Sequence, residues 1–170
     1  MTISDKALAT SAQTIAAYED YAEQYSRNVA HVPSANDEAA LRRIATAAGP
    51  GGRILEIGSG PGWEADFIEA LGVSVRRTDA TQRFLEIQQA RGKSADILNV
   101  ITDDLGGPYD AIVAMCVLIH VPRDQIDNVL AKIAQALRPD GAVLVSMRDG
   151  DGETSGSYHT VFWRRDQFAG

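Results

Sequence analysis

Cysteine is nearly absent. Cys116 stands alone, so the chain forms no internal disulfide, which suits a reducing compartment. Long hydrophobic runs are missing too: none approaches the ~20 residues that a membrane-crossing helix needs. Met1 to Thr10 has neither the basic start nor the apolar stretch of a secretory signal. A cytoplasmic location with no membrane partner is therefore expected. Positive charge is in short supply, with 16 Lys and Arg against 23 Asp and Glu and a formal net charge of -7. Such a surface repels phosphate backbones, and the doublets Arg76-Arg77 and Arg164-Arg165 do not amount to a basic stripe, so no nucleic-acid partner is expected. Only three histidines occur, and the acidic run Asp149, Asp151, Glu153 lacks the spacing of a calcium loop, so no metal is expected.

What is present fits one domain of 170 residues with a real core. Ile15, Tyr18, Ala22, Tyr25 and Val29 recur at spacings of three and four, the pattern of an amphipathic helix over 11–29. After a turn at His31-Val32-Pro33, Ser34 is placed to cap a second helix whose apolar face is Leu41, Ile44, Ala45 and Ala48. Residues 1–49 thus read as cap helices. From Gly49 onward, strands alternate with helices: a strand over 53–57, a helix over 61–71, a strand over 73–78 and a helix over 81–91. A short third strand follows Ser94. A fourth covers 111–117, a helix covers 123–137, and a fifth strand covers 142–147. The fourth strand has almost no polar residue, as expected when both faces are covered. Such alternation predicts an α/β fold with a doubly wound parallel sheet over 50–148. Residues 149–170 read as a flexible loop and a short C-terminal segment.

The informative segment is Ile54-Leu55-Glu56-Ile57-Gly58-Ser59-Gly60-Pro61-Gly62. A buried strand runs into glycines at alternate positions and a helix opens at once. The turn can be tight, a ligand can lie against the backbone, and the helix start offers free N–H groups to an anionic end of that ligand. A dinucleotide fingerprint places its third glycine where Trp63 stands, and an indole there obstructs close helix–strand packing, which disfavours a nicotinamide-dependent oxidoreductase. With Gly62 and with Glu56 ahead of the first glycine, the segment instead resembles motif I of the class I S-adenosylmethionine-dependent methyltransferases. Tyr109 to Pro122 resembles that family's fourth-strand motif, and Leu137-Arg138-Pro139-Asp140-Gly141-Ala142 resembles its turn before strand five. The likeness covers about 53–148.

The resemblance implies a Rossmann-like sheet in the order 3-2-1-4-5 and S-adenosylmethionine as cofactor, with S-adenosylhomocysteine as its product. It implies cofactor contacts from Glu56, Gly58, Ser59, Gly60 and Gly62, and from Asp79 with Ala80 after strand two, where a carboxylate accepts from the ribose hydroxyls. Asp96 with Ile97 would meet the adenine, with Asp103 as the rival acid. Met115, and Cys116 beside it, would lie near the sulfonium. The three tyrosines of the first helix are similar to the cap of members that methylate small molecules, so Tyr18 and Tyr25, with Trp163, are candidate acceptor contacts. His120, just past strand four, is the candidate base, because histidine titrates in the useful range; His159, beyond a loop that could close as a lid, is a second. Cys116 reads as a small buried hydrophobe.

The expected activity is methyl transfer to an oxygen or nitrogen of a small molecule. The Asn/Asp-Pro-Pro-aromatic signature of amino-directed DNA methyltransferases is missing, since Val117-Leu118-Ile119-His120 stand in its place. The non-enzymatic alternative is a protein that binds the cofactor without turnover. The family's usual further helix and sixth and seventh strands have no counterpart in the residues after Trp163. A bare fifth strand then predicts a homodimer.

Overall fold

The computed structural model describes residues 2–168. Helix α1 (Asp5–Asn28) starts where the Ser4 hydroxyl accepts from the Ala7 N–H, and α2 (Ala35–Ala48) starts where Ser34 accepts from Asp37, as its sequence predicts. Gly49, at φ 77°, ends α2. There follow β1 (Arg53–Ile57), α3 (Trp63–Ala70), β2 (Ser74–Asp79), α4 (Gln82–Ala90), β3 (Asp96–Ile97) and β4 (Tyr109–Met115). After two short 3-10 turns come α5 (Ile126–Ala136) and β5 (Leu137–Ser146).

The five strands are parallel in the order β3-β2-β1-β4-β5. This is the doubly wound, Rossmann-like arrangement that the alternation predicts. Alternate residues of the central strands feed two cores. Ile54, Ala111 and Val113 pack with Leu41 and Ile44 of α2 and Ile68 of α3 on one face. Leu55, Ile57, Ile112 and Ala114 pack with Ile126, Val129 and Ile133 of α5 on the other. β1 and β4 are thus covered on both faces and bury mostly apolar residues, with Glu56 the charged exception inside β1.

Three expectations change. The helix α1 begins six residues earlier than the expected start at 11, because its first half buries Ala7, Ser11 and Thr14 rather than large side chains. Strand five pairs from Leu137, opposite Tyr109, and slips around Pro139–Gly141 before resuming at Ala142; Asp140 takes φ 64° in the slip. The 149–157 run is not an open loop. Part of it forms an antiparallel hairpin, β6 (Glu153–Ser155) with β7 (His159–Val161), whose second strand is buried. A four-residue helix, α6 (Arg165–Phe168), follows.

All of this sets the carboxyl ends of β1, β2, β3 and β4 side by side, with α1 and the β6–β7 hairpin above them. No described helix is long and apolar enough to cross a membrane.

Candidate active site at the carboxyl end of the sheet

β1 ends at Ile57 and the chain turns through Gly58 at φ 69° and Gly60 at φ 51°. A Cβ at Gly58 would lie 2.5 Å from a methyl of Val117, so the turn and the loop after β4 can approach only because a glycine stands there. Gly60 is different. The nearest atom to a Cβ built there is a ring carbon of Tyr25, 3.9 Å away, so this side of the turn faces open space. The Ser59 N–H donates to the Thr78 carbonyl and the Gly60 N–H to one oxygen of Asp79, both at 2.8 Å. The other Asp79 oxygen accepts from the Thr81 N–H at 2.8 Å. Burial lifts the Asp79 carboxyl above its ordinary range, while these backbone N–H groups pull it back down.

A cavity of about 130 Å³ opens here. Its floor is Gly58, Gly60, Asp79 and Ala80; Leu98 to Ile101 close one end and Met115, Cys116 and His120 the other. Tyr18 and Tyr25 of α1 form the roof, with Phe84 of α4 beside them. Tyr18 stacks on Tyr158 at 5.2 Å between ring centres and meets Tyr25 edge-on at 6.0 Å.

His120 has a defined tautomer. Its Nδ1 lies 2.6 Å from the His159 carbonyl, which can only accept, so Nδ1 carries the proton. Nε2 therefore presents its lone pair, and the Tyr18 hydroxyl donates to it at 3.0 Å. Burial holds the imidazole below its ordinary pKa, against the raising effect of the carbonyl, so the ring is neutral at pH 7. Burial, with Tyr25 and Tyr158 nearby, pushes the Tyr18 hydroxyl well up, so it keeps its proton.

Of the residues singled out from the sequence, Gly58, Gly60, Asp79, Ala80, Met115, Cys116, Tyr18, Tyr25 and His120 line the cavity. Others do not. Asp96 points away, its carboxylate held by Arg76 at 2.8 Å, and Ile97 is 54% exposed. The reason is that β3 is only two residues long; the chain bends back at once, where the Leu98 N–H donates to the Asp79 carbonyl. The rival Asp103 accepts from the Asn99 N–H at 2.8 Å and only closes that bend. Asn99 is the polar side chain that reaches this end of the cavity, with its amide donating to Ser11 Oγ at 3.0 Å.

Glu56 lies sealed in the sheet, 3% exposed, with one oxygen that meets no donor among the described residues. Burial, with Glu64 adding to it, raises its carboxyl well above the ordinary value. Ser59 turns its hydroxyl to Gln88, and Gly62 faces Gln88 and Arg77. The His159 ring stays within the hairpin, 3.2 Å from Ser155 Oγ and 3.3 Å from the Glu153 carboxylate, so this residue contributes its carbonyl, not its imidazole. Trp163 lies under the Arg123 guanidinium at 4.1 Å and against Phe168. Cys116 is exposed at φ 53°, not a buried hydrophobe.

Ser11, Thr14, Phe84, Asn99 and Tyr158 escape a reading from sequence. Ser11 and Thr14 continue the helical stripe of Tyr18 and Tyr25 backward, but as polar residues they leave no mark in an apolar pattern. Tyr158 arrives through the hairpin.

Residues 21–167 match the family model described as a methyltransferase domain, and the chain belongs to that family. It is 33% identical over 104 residues to a ubiquinone biosynthesis O-methyltransferase of Mesorhizobium japonicum, spanning 55% of this chain and 40% of the relative. A protein of the same name from Thiobacillus denitrificans is 30% identical over 104 residues, spanning 56% of this chain and 44% of the relative. The matched region thus covers less than half the length of these relatives. Among solved structures, the DhpI–SAM–HEP complex superposes with a TM-score of 0.72 at 16% identity, over 99% of this chain and 88% of that one. The CcbJ methyltransferase of Streptomyces caelestis gives 0.70 at 20% identity, over 84% and 63%. These two likenesses concern the fold.

Proposed function

We propose that this chain transfers a methyl group from S-adenosylmethionine to a hydroxyl oxygen of a small molecule, with His120 taking the hydroxyl proton. The observation that carries the reading is the His120 tautomer: a neutral imidazole whose Nε2 lone pair is directed at a hydroxyl inside the cavity. The donor, when bound, supplies an electrophilic methyl on a positively charged sulfur. What the residues must add is alignment, exclusion of water and, for a hydroxyl acceptor, a base.

The cavity suits that donor. Gly60 leaves the turn open toward it, and each Asp79 oxygen has accepted one backbone N–H and keeps capacity for a ribose hydroxyl. Asn99 has the amide to meet an adenine edge, and Met115 is an apolar neighbour for the sulfur end. The aromatic roof of Tyr18 and Tyr25 suits a small, largely apolar acceptor and keeps water out. The names of the sequence relatives favour oxygen over nitrogen as target. The net charge of -7 argues for a small molecule over a nucleic acid.

A second reading, binding without turnover, is favoured by one contact. The Tyr18 hydroxyl already occupies Nε2, so an acceptor must displace it before the base can act. Calorimetric titration of S-adenosylhomocysteine into the wild type and Asp79→Ala tests the donor site: the variant is expected to bind about tenfold more weakly or worse. Transfer of labelled methyl to a panel of phenols and amines then separates the two readings. Phenol labelling that falls about 100-fold or more in His120→Gln, with homocysteine-nucleoside affinity unchanged, supports the enzyme. Tight binding with no label on any acceptor supports the binding protein.

A further inference from the structure

The glycine turn is held from behind by side chains that do not line the cavity. Gln88 of α4 is fully buried, and its Nε2 donates to both Ser59 Oγ and the Gly60 carbonyl, each at 2.8 Å. Arg91 donates to the Pro61 carbonyl at 2.6 Å. Arg77 of β2 reaches the Gly62 carbonyl at a longer 3.4 Å. The amide of Gln88 cannot flip without loss, because its Oε1 accepts from Arg77 at 3.2 Å. Both arginines are anchored in turn: Arg77 on Asp66 and Glu69 at 2.6 and 2.7 Å, Arg91 on Asp66 at 2.6 Å.

Three successive carbonyls are thus drawn toward α4 and β2. A turn rich in glycine has no side chains of its own to fix which way its peptide groups point. A carbonyl swung the other way would set a partial negative charge where the floor now offers backbone N–H groups. The same contacts account for Gly62. At φ 87° it would place a Cβ 2.6 Å from Gln88 Oε1 and 2.7 Å from an Arg77 nitrogen, so the space that its missing side chain leaves is filled by Gln88 and Arg77 and not by a ligand.

We propose that Gln88, backed by Arg77 and Arg91, is a positioning residue that sets the peptide groups of the glycine turn for the methyl donor, and that Gly62 is glycine to admit it. The proposal rests on the reading of the cavity as the donor site. Its physical content is pre-organisation: the cost of ordering the turn is met during folding and not during binding.

The test is Gln88→Glu, which keeps the side-chain size and the oxygen facing Arg77 but replaces the donor with a second oxygen. The expected result has three parts. S-adenosylhomocysteine binds about tenfold more weakly. Amide hydrogen exchange at Gly58, Ser59, Gly60 and Gly62 of the free protein speeds up. The melting temperature falls only modestly, because pairing of the new carboxylate with Arg77 offsets part of the cost of the lost Gly60 hydrogen bond. Unchanged exchange at the turn overturns the proposal, whatever the affinity does. So does faster exchange spread over β1, β2 and α4 with a large fall in melting temperature, which is general structural support. If Gln88→Glu does not fold, Arg91→Gln decides by the same readouts, since it releases the Pro61 carbonyl and the ion pair with Asp66 but leaves Arg77 paired with Asp66 and Glu69. Failure of the wild type to bind the nucleoside overturns the donor reading alone, and the exchange rates of the free turn still decide the clamp.

Discussion

The cavity floor formed by β1 and β2 and the wall formed by α1, His120 and the hairpin are fixed by different means. The floor is locked by buried groups with several partners each: Gln88 with three, Arg77 with four, Asp79 holding two backbone N–H groups. The wall is held by polar groups with one or two partners each, between elements distant in sequence. Tyr18 meets His120, Thr14 accepts from the His159 N–H, and Ser11 accepts from Asn99. The helix α1 buries only Ala7, Ser11, Thr14 and Ala22, so few large apolar side chains anchor it. Replacing Gln88 or Arg77 in the first set disturbs three or four others; in the second set it frees one or two contacts. That difference matches the two tasks. On the proposed function, the donor is a fixed shape that rewards a rigid seat, whereas an acceptor must pass a wall that can yield.

The sharpest test of the comparison is Arg77→Met. It removes the 1%-exposed guanidinium that ties β2 to α3 and leaves Asp66 and Glu69 facing each other. Breaking a buried pair by deleting one partner costs about 3–5 kcal/mol. The lower end applies, because both carboxylates keep 29% of their side-chain surface in water and Arg91 and Lys93 stay beside them. Urea unfolding should show a loss of about 3 kcal/mol. A loss below about 1 kcal/mol, the scale of an ordinary hydrogen bond, would erase the distinction between floor and wall.

Next in size is a pH effect confined to the floor. On the proposed function, ribose hydroxyls would donate to the ionised form of Asp79, whose pKa burial lifts in the free protein. Binding of those hydroxyls favours the carboxylate, so affinity falls as the pH drops through the raised Asp79 value, approaching tenfold per pH unit. Buried Glu56 and neighbouring Glu64 are raised as well, but neither lines the cavity. Folding stability carries the opposite sign: groups with raised folded-state values stabilise at low pH and lose that contribution as the pH rises through those values. Calorimetry of S-adenosylhomocysteine across the acid range checks the slope, and Asp79→Asn should flatten it. A slope that survives Asp79→Asn would move the titrating group elsewhere.

Much of the floor was legible because its causes are local. Strand, glycine turn, helix and the acid that ends β2 follow one another within 27 residues, and each leaves a pattern in side-chain type or spacing. That Asp96 lies outside the cavity is not legible in the sequence, because a two-residue strand gives too little alternation to tell which way its side chains point. The clamp was invisible for another reason. Gln88 and Arg77 sit where a helix or strand tolerates any polar residue, and only the tertiary fold reveals that they are buried. The hairpin was read as a loop because Asp, Gly, Ser and Thr dominate 149–157, and the pairing is carried by three residues on each side.

The smallest effect belongs to the wall, and it is the one that separates gate from base. Tyr18→Phe removes the hydroxyl that donates to His120 Nε2 and leaves the ring stacked on Tyr158. Loss of one partly buried hydrogen bond should cost about 1 kcal/mol in stability. Affinity for S-adenosylhomocysteine should stay within about twofold, since the hydroxyl is engaged by His120 and not by the floor. The lone pair of Nε2 is then free before any acceptor arrives. If Tyr18 is only an occupant to be displaced, methyl transfer to a phenol becomes faster in the variant, because the acceptor no longer competes for the base. If transfer instead collapses while donor binding holds, the hydroxyl itself conveys the proton to His120. The wall would then be as exacting as the floor.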